Sequence, residues 1–220
     1  MRYIKQALLL FIMTFCFFLT ACSLGPNVKK TNQPEEVEQP PAVELEPYLE
    51  AQQVINKEVK QRFIVANKAM VDNKFDEAEK HYLWIIENYP EYSRPYINLA
   101  VVYSRMNKIT LAESYFLKAI QINVNNLNSY NRYAIFLRQQ GRFKEAESQY
   151  LRGINIWESS PISHKNIAIL YELYLGDLDK ALKHYQRYLA LLESDSNPNN
   201  KKAIRQAKGW IIDVNRRLSR

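Results

Sequence analysis

The sequence predicts an all-α solenoid of about four helical hairpins, closed by a C-terminal capping helix, and three observations lead there. Residues 93–126 lie over residues 127–160 without a gap, a period of 34 residues, which is room for two helices and their turns. Within it, small residues recur at position 8 (Ala100, Ala134), position 20 (Ala112, Ala146) and position 27 (Ala119, Gly153). Aromatic residues recur at position 4 (Tyr96, Tyr130) and position 24 (Phe116, Tyr150), and large apolar residues at position 11 (Tyr103, Leu137). Antiparallel helices approach closely only where one carries Ala or Gly, and rings fill the space left beside them. Third, Ile204, Ala207, Ile211, Val214 and Leu218 recur every three or four residues near the C-terminus, a stripe suited to covering the open end of a stack.

A 34-residue period with this pattern resembles the tetratricopeptide repeat (TPR) family, whose signature is W-x2-L-G-x2-Y, then A-x3-F, then P. The resemblance implies a right-handed α-solenoid and a binding scaffold with no fixed chemistry. Run backwards, the register gives a copy at 59–92, with Phe75, Ala78, Tyr82 and Pro90 on positions 17, 20, 24 and 32. Arg62 and Ala69 stand there where positions 4 and 11 expect an aromatic or large apolar residue, so this copy reads as an atypical terminal repeat. Run forwards, it gives a copy at 161–192: Ile167, Ala168 and Tyr171 take positions 7, 8 and 11, and after one inserted residue Leu178, Ala181 and Tyr185 take 17, 20 and 24.

Taken from the N-terminus, residues 1–21 read as a secretory signal peptide, with Arg2 and Lys5 before an apolar run from Ala7 to Leu19. The segment Leu19-Thr20-Ala21-Cys22 closely resembles the bacterial lipoprotein box. That resemblance implies acylation of Cys22 and attachment to a membrane, and Ser23, in place of the Asp that retains such proteins at the inner membrane, points to the outer membrane of a Gram-negative cell. Cys16 then leaves with the signal and Cys22 is blocked by lipid, so no disulfide is expected. Residues 22–46 hold Pro26, Pro34, Pro40 and Pro41, many Glu and no aromatic residue, a tether that cannot build a core.

The helical part is expected over 47–192, its first helix running from about Pro47 to Asn73. Thr110 with Glu113 reads as a capping box, Gly141 and Gly176 as turn-backs, and Ser160-Pro161 as an N-cap followed by N1. A polar break at 193–200 precedes the capping helix, 201–220.

The formal charge is +7. Much of the positive excess lies in the last helix, where Lys201, Lys202, Arg205, Lys208, Arg216, Arg217 and Arg220 face one Asp213. Such a cluster suits an anionic surface or is simply a solvated face. An exported chain leaves nucleic acid aside as a partner.

The sequence offers little catalytic chemistry. His81, His164 and His184 are far apart in sequence, and His81 and His184 both fall on position 23, exposed in the family pattern. No metalloprotease motif, phosphate loop or nucleophile elbow is present. The carboxylates read as surface partners of Lys and Arg at helical spacing, Glu145 among them. The expectation is a non-enzyme with no cofactor, metal or small-molecule substrate.

What the resemblance implies for binding is a concave face lined by the first helix of each repeat. Residue by residue this places Arg94, Ile97, Asn98, Val101 and Arg105, then Asn131, Arg132, Ile135 and Arg138, then Lys165, Asn166 and Ile169 on that face. Val101, Ile135 and Ile169 recur at position 9 as an apolar strip among cations, suited to a peptide with apolar anchors beside carboxylates. The expected role is a lipid-anchored periplasmic scaffold that binds a protein partner in the cell envelope, similar in layout to type IV pilus pilotins and Flp-pilus assembly lipoproteins. Alternatives are a scaffold for peptidoglycan enzymes, or a binder of envelope glycan or lipopolysaccharide through the basic last helix.

Overall fold

The structure, a computed structural model, describes residues 57–220; the leader, the lipoprotein box with Cys22, the tether and the expected helix start at Pro47 lie outside them. Described in chain order are α1 (Lys57–Val71), α2 (Phe75–Asn88), α3 (Ser93–Arg105), α4 (Ile109–Ile122), α5 (Leu127–Gln139), α6 (Phe143–Ile156), α7 (Pro161–Leu170), a π-helical turn (Tyr171–Leu175), α8 (Leu178–Ser194), a 3₁₀ turn (Pro198–Asn200) and α9 (Lys201–Leu218). Helices α1 to α8 pair into four hairpins and α9 lies against α8, the all-α solenoid the sequence predicts.

Each hairpin turns at one left-handed residue: Asn73 (φ 59°), Asn107 (φ 59°), Gly141 (φ 75°) and Gly176 (φ 69°). Gly and Asn are the residues that enter this region at least cost. In three repeats the amide after it donates back to the residue at position 11: Lys74 to Ala69, Lys108 to Tyr103 and Arg142 to Leu137, at 2.8–2.9 Å. In the fourth, Asp177 N donates to Tyr171 O at 3.0 Å, one residue further along. The inserted residue is absorbed as the π turn, which widens the end of the first helix and keeps the closing bond.

Other local signals resolve in both directions. Ser160 caps α7, its hydroxyl accepting from Ser163 N, with Pro161 in the first turn; Asn126 caps α5 in the same way. The Thr110–Glu113 capping box does not form. Lys108 is the N-cap residue of α4 and no side chain caps it, which leaves Thr110 inside the helix, while Glu113 is drawn into contacts with the next repeat. Leu218, expected in the packed stripe of α9, is 40 % exposed, while Ala207 and Val214 are fully buried.

The small residues sit where the helices touch: Ala66, Ala78, Ala100, Ala112, Ala134, Ala146, Ala168 and Ala181 have no exposed surface. A methyl group on Gly153 would meet Leu127 Cδ1 at 3.0 Å, so a larger residue at that crossing would require the Leu127 side chain to shift. The atypical first repeat keeps Ala66 at position 8. Arg62 replaces the missing aromatic by lying over the Trp84 ring, 3.6 Å from its centroid.

Candidate partner-binding site

Successive first helices touch each other: α3 contacts α5, and α5 contacts α7. This draws the first helices together along the inner curve of the stack, the face on which position 9 lies. Val101, Ile135 and Ile169 are half-buried there, each leaving part of its side chain to solvent. Arg94, Arg105 and Arg132 are exposed, and Arg138, Lys165 and Asn166 half-buried. None of these five cations forms an ion pair among the described residues. Arg138 lies over the Tyr174 ring, 5.4 Å from its centroid, so the π turn adds an aromatic beside the strip.

Three expected contact residues are instead engaged within the fold. Ile97 is 3 % exposed and Asn131 4 %, so neither offers a surface to a partner. Position 5 points into the seam between first helices, and Asn131 Nδ2 donates there to Ser163 Oγ at 2.9 Å. Asn98 is half-buried and donates to Asn67 Oδ1 and Tyr82 Oη, both at 3.3 Å, while Tyr82 Oη donates to Asn67 Oδ1 at 2.6 Å. Burial pushes the Tyr82 phenol up to about 12, so it stays a donor. Asn166 keeps the exposure that a backbone contact needs.

A feature absent from the sequence reading organises the opposite contact. Glu79, Glu113 and Glu147 all fall on position 21, and each accepts a hydroxyl from the following repeat: Tyr103 at 2.8 Å, Tyr133 at 2.6 Å and Tyr171 at 2.8 Å. Where Leu137 occupies position 11, Tyr133 supplies the hydroxyl from one turn earlier. A cation completes each rung. Lys108 lies 3.8 Å from Glu79, Arg142 binds both oxygens of Glu113 at 2.7 and 2.8 Å, and Lys144 lies 3.1 Å from Glu147. Burial, reinforced by the carboxylate acceptor, holds Tyr103, Tyr133 and Tyr171 protonated far into the alkaline range. Glu172 repeats the device at the cap, accepting from Tyr185 at 2.7 Å and from Arg217 at 2.6 Å. The expectation that carboxylates pair at helical spacing holds for Glu145 with Arg142 and for Glu147 with Lys144, but misses the tyrosine bonds and the cations that reach Glu79 and Glu113 from the next repeat.

The histidines also depart from expectation. His164 is 4 % exposed, and its Nδ1 lies 2.9 Å from His184 Nδ1, so two residues distant in sequence form a pair and position 23 is not a free surface here. His164 Nε2 lies 2.8 Å from the Glu158 carbonyl oxygen. That oxygen only accepts, so His164 carries its proton on Nε2, and His184 Nδ1–H donates to the bare His164 Nδ1. Burial lowers both, His184 to about 4 with the neighbouring His164 adding to the effect. His81 is half-buried. Among the described residues no group of three or more His, Cys, Asp or Glu is placed to hold a metal ion, and no helix is long and apolar enough to cross a membrane.

Comparison with known proteins agrees with this architecture. Tetratricopeptide repeat models match residues 93–126 and 125–194. No curated protein matches the chain in sequence. Similar solved structures include TTC0263, a thermophilic TPR protein of Thermus thermophilus, at 16 % identity and TM-score 0.60 over 71 % of this chain and 82 % of that one. Pseudomonas aeruginosa PilF has 18 % identity and TM-score 0.59 over 72 % and 68 %. YrrB, a TPR protein with an unusual peptide-binding site, has 18 % identity and TM-score 0.51 over 69 % and 74 %. At these identities the likeness to solved structures is one of fold, and the two repeat models, with the recurring small residues and the stacked hairpins, identify residues 93–194 as tetratricopeptide repeats.

Proposed function

We propose that this protein is a scaffold of the bacterial envelope, anchored through lipid on Cys22 to the periplasmic face of the outer membrane, that captures an acidic peptide segment of a partner during assembly of a machine such as a type IV or Flp pilus. The observation that carries the binding half is the apolar strip of Val101, Ile135 and Ile169, flanked by Arg94, Arg105, Arg132, Arg138 and Lys165, with those cations in no ion pair among the described residues. Arg142, by contrast, is neutralised within the fold by Glu113 and Glu145. Left open beside a half-buried strip, the flanking cations suit carboxylates beside apolar anchors. TPR proteins act as protein-interaction scaffolds, and YrrB of the same fold has a peptide-binding site. The location rests on the lipoprotein box and on the layout of leader, tether and repeats.

Two measurements test the halves separately. Ile135→Asp and Arg138→Glu each reduce partner capture at least about tenfold while the thermal midpoint holds; undiminished capture by both folded variants moves the site off this face. Cys22→Ala abolishes labelling by palmitate and releases the chain from the outer-membrane fraction. Unchanged labelling would refute the anchor and leave the binding face untouched.

A further inference from the structure

Helix α9 is packed on one side only. Ala207 and Val214 are fully buried and the Trp210 ring packs tilted against Tyr185, ring centroids 5.1 Å apart, so that face is spent on closing the solenoid. At 3.6 residues per turn the opposite third of the helix carries Lys201, Lys202, Arg205, Lys208 and Arg216, with Ile212 in their midst. Ile212 is 67 % exposed, the most exposed large apolar residue of α7, α8 and α9. No acidic residue falls within that third; Asp213 lies at its edge and holds Arg216, and Glu193 on α8 holds Lys208 at 2.9 Å. Lys201, Lys202 and Arg205 are in no ion pair among the described residues. Gly209, one turn before Ile212 and Asp213, has open space where a side chain would stand, which leaves the flank of Ile212 uncovered.

From this arrangement we propose that the outer face of α9 docks flat on an anionic phospholipid surface, its cations at the headgroup phosphates and Ile212 in the acyl boundary. A peptide partner needs a concavity for its anchors, and this face is convex with a single apolar residue projecting from it. A bilayer is the complementary shape: it supplies a plane of phosphates to all the cations at once and takes the projecting side chain between its headgroups. A soluble polyanion would satisfy the cations and leave Ile212 in water. The surface is independent of the peptide-binding face and of any acyl group on Cys22.

The test uses the unacylated chain from residue 23, which keeps every described residue, with phosphatidylcholine vesicles that do or do not contain phosphatidylglycerol. Sedimentation with the phosphatidylglycerol vesicles is expected, falling steeply with added salt, and absent with phosphatidylcholine alone. Lys201→Glu, Lys202→Glu and Arg205→Glu combined lower the partition coefficient at least about a hundredfold, at roughly fivefold per cation near the surface. Ile212→Trp shifts its emission to the blue on the same vesicles. Failure of the parent chain to sediment, unchanged partition of the folded triple variant, or an emission spectrum indifferent to vesicles each overturns the proposal, as does binding to a soluble anionic polysaccharide without binding to vesicles.

Discussion

At the scale of single residues, the pairing of His164 with His184 is the contact whose chemistry is most sensitive to conditions. Its hydrogen bond exists only while His164 Nδ1 is bare, and a proton there would set N–H against N–H across 2.9 Å. The charged groups near the pair add to the difficulty: Arg187 lowers His164 and Lys183 lowers His184, while only Glu158 pulls the other way. Both folded values are depressed, so below pH 6.5 the unfolded chain binds protons that the folded chain refuses. The stability contributed by keeping the pair neutral is therefore present above about pH 6.5 and lost as pH falls toward about 4. Because water still reaches part of the His184 ring, the effect is held to about 1–2 kcal/mol. Urea unfolding at about pH 7 and about pH 5 should show that loss in the parent, and His184→Phe, which keeps the stacking on Tyr171, should show a smaller one. Equal pH dependence in both proteins would place the proton uptake elsewhere.

At the scale of the helices, the Tyr–Glu–cation rungs decide how one repeat registers on the next. Alanine contacts set how near two helices come, but an apolar seam tolerates sliding; a hydroxyl aimed at a half-buried carboxylate does not. The middle rung is the most complete, since Glu113 receives Tyr133 and both contacts from Arg142, and Arg142 also binds Glu145. Tyr133→Phe keeps the ring contacts with Phe116 and Phe136 and removes only the hydrogen bond, so it should cost about 1.5–3 kcal/mol, the range for a bond to a charged group. Combined with Glu113→Gln the losses should fall short of additive, because both remove the same bond. Strict additivity in urea melts would show that the rung is not a coupled unit.

At the scale of the molecule, the stack was legible in the sequence because its main requirement is local and repeated: a small residue at positions 8 and 20 leaves a mark every 34 residues. The turn at position 15 was legible at Gly141 and Gly176 and missed at Asn73 and Asn107, where Asn reaches the same left-handed conformation. The tyrosine bonds of the rungs were hidden because their partners lie 20 to 24 residues apart and meet only once the repeats are stacked. The inner face was half legible: the family register gave Val101, Ile135 and Ile169, but could not foresee that Asn98 and Asn131 are occupied by neighbours within the fold. A stack held by nearest neighbours also predicts how it fails. Helix α9 packs chiefly on α8, through Ala207, Trp210, Tyr188 and Leu192, and its Arg217 reaches Glu172 on the π turn. Ending the chain at Asn200 would uncover that apolar end and free Glu172 from its cation. Hydrogen exchange should then rise most in α8 and the π turn, less in α5 and α6, and least in α1 and α2, with the thermal midpoint falling by several degrees. An even loss of protection from α1 to α8 would instead mean that the four hairpins open as a single unit, and that the contacts between repeats outweigh the stability of any one of them.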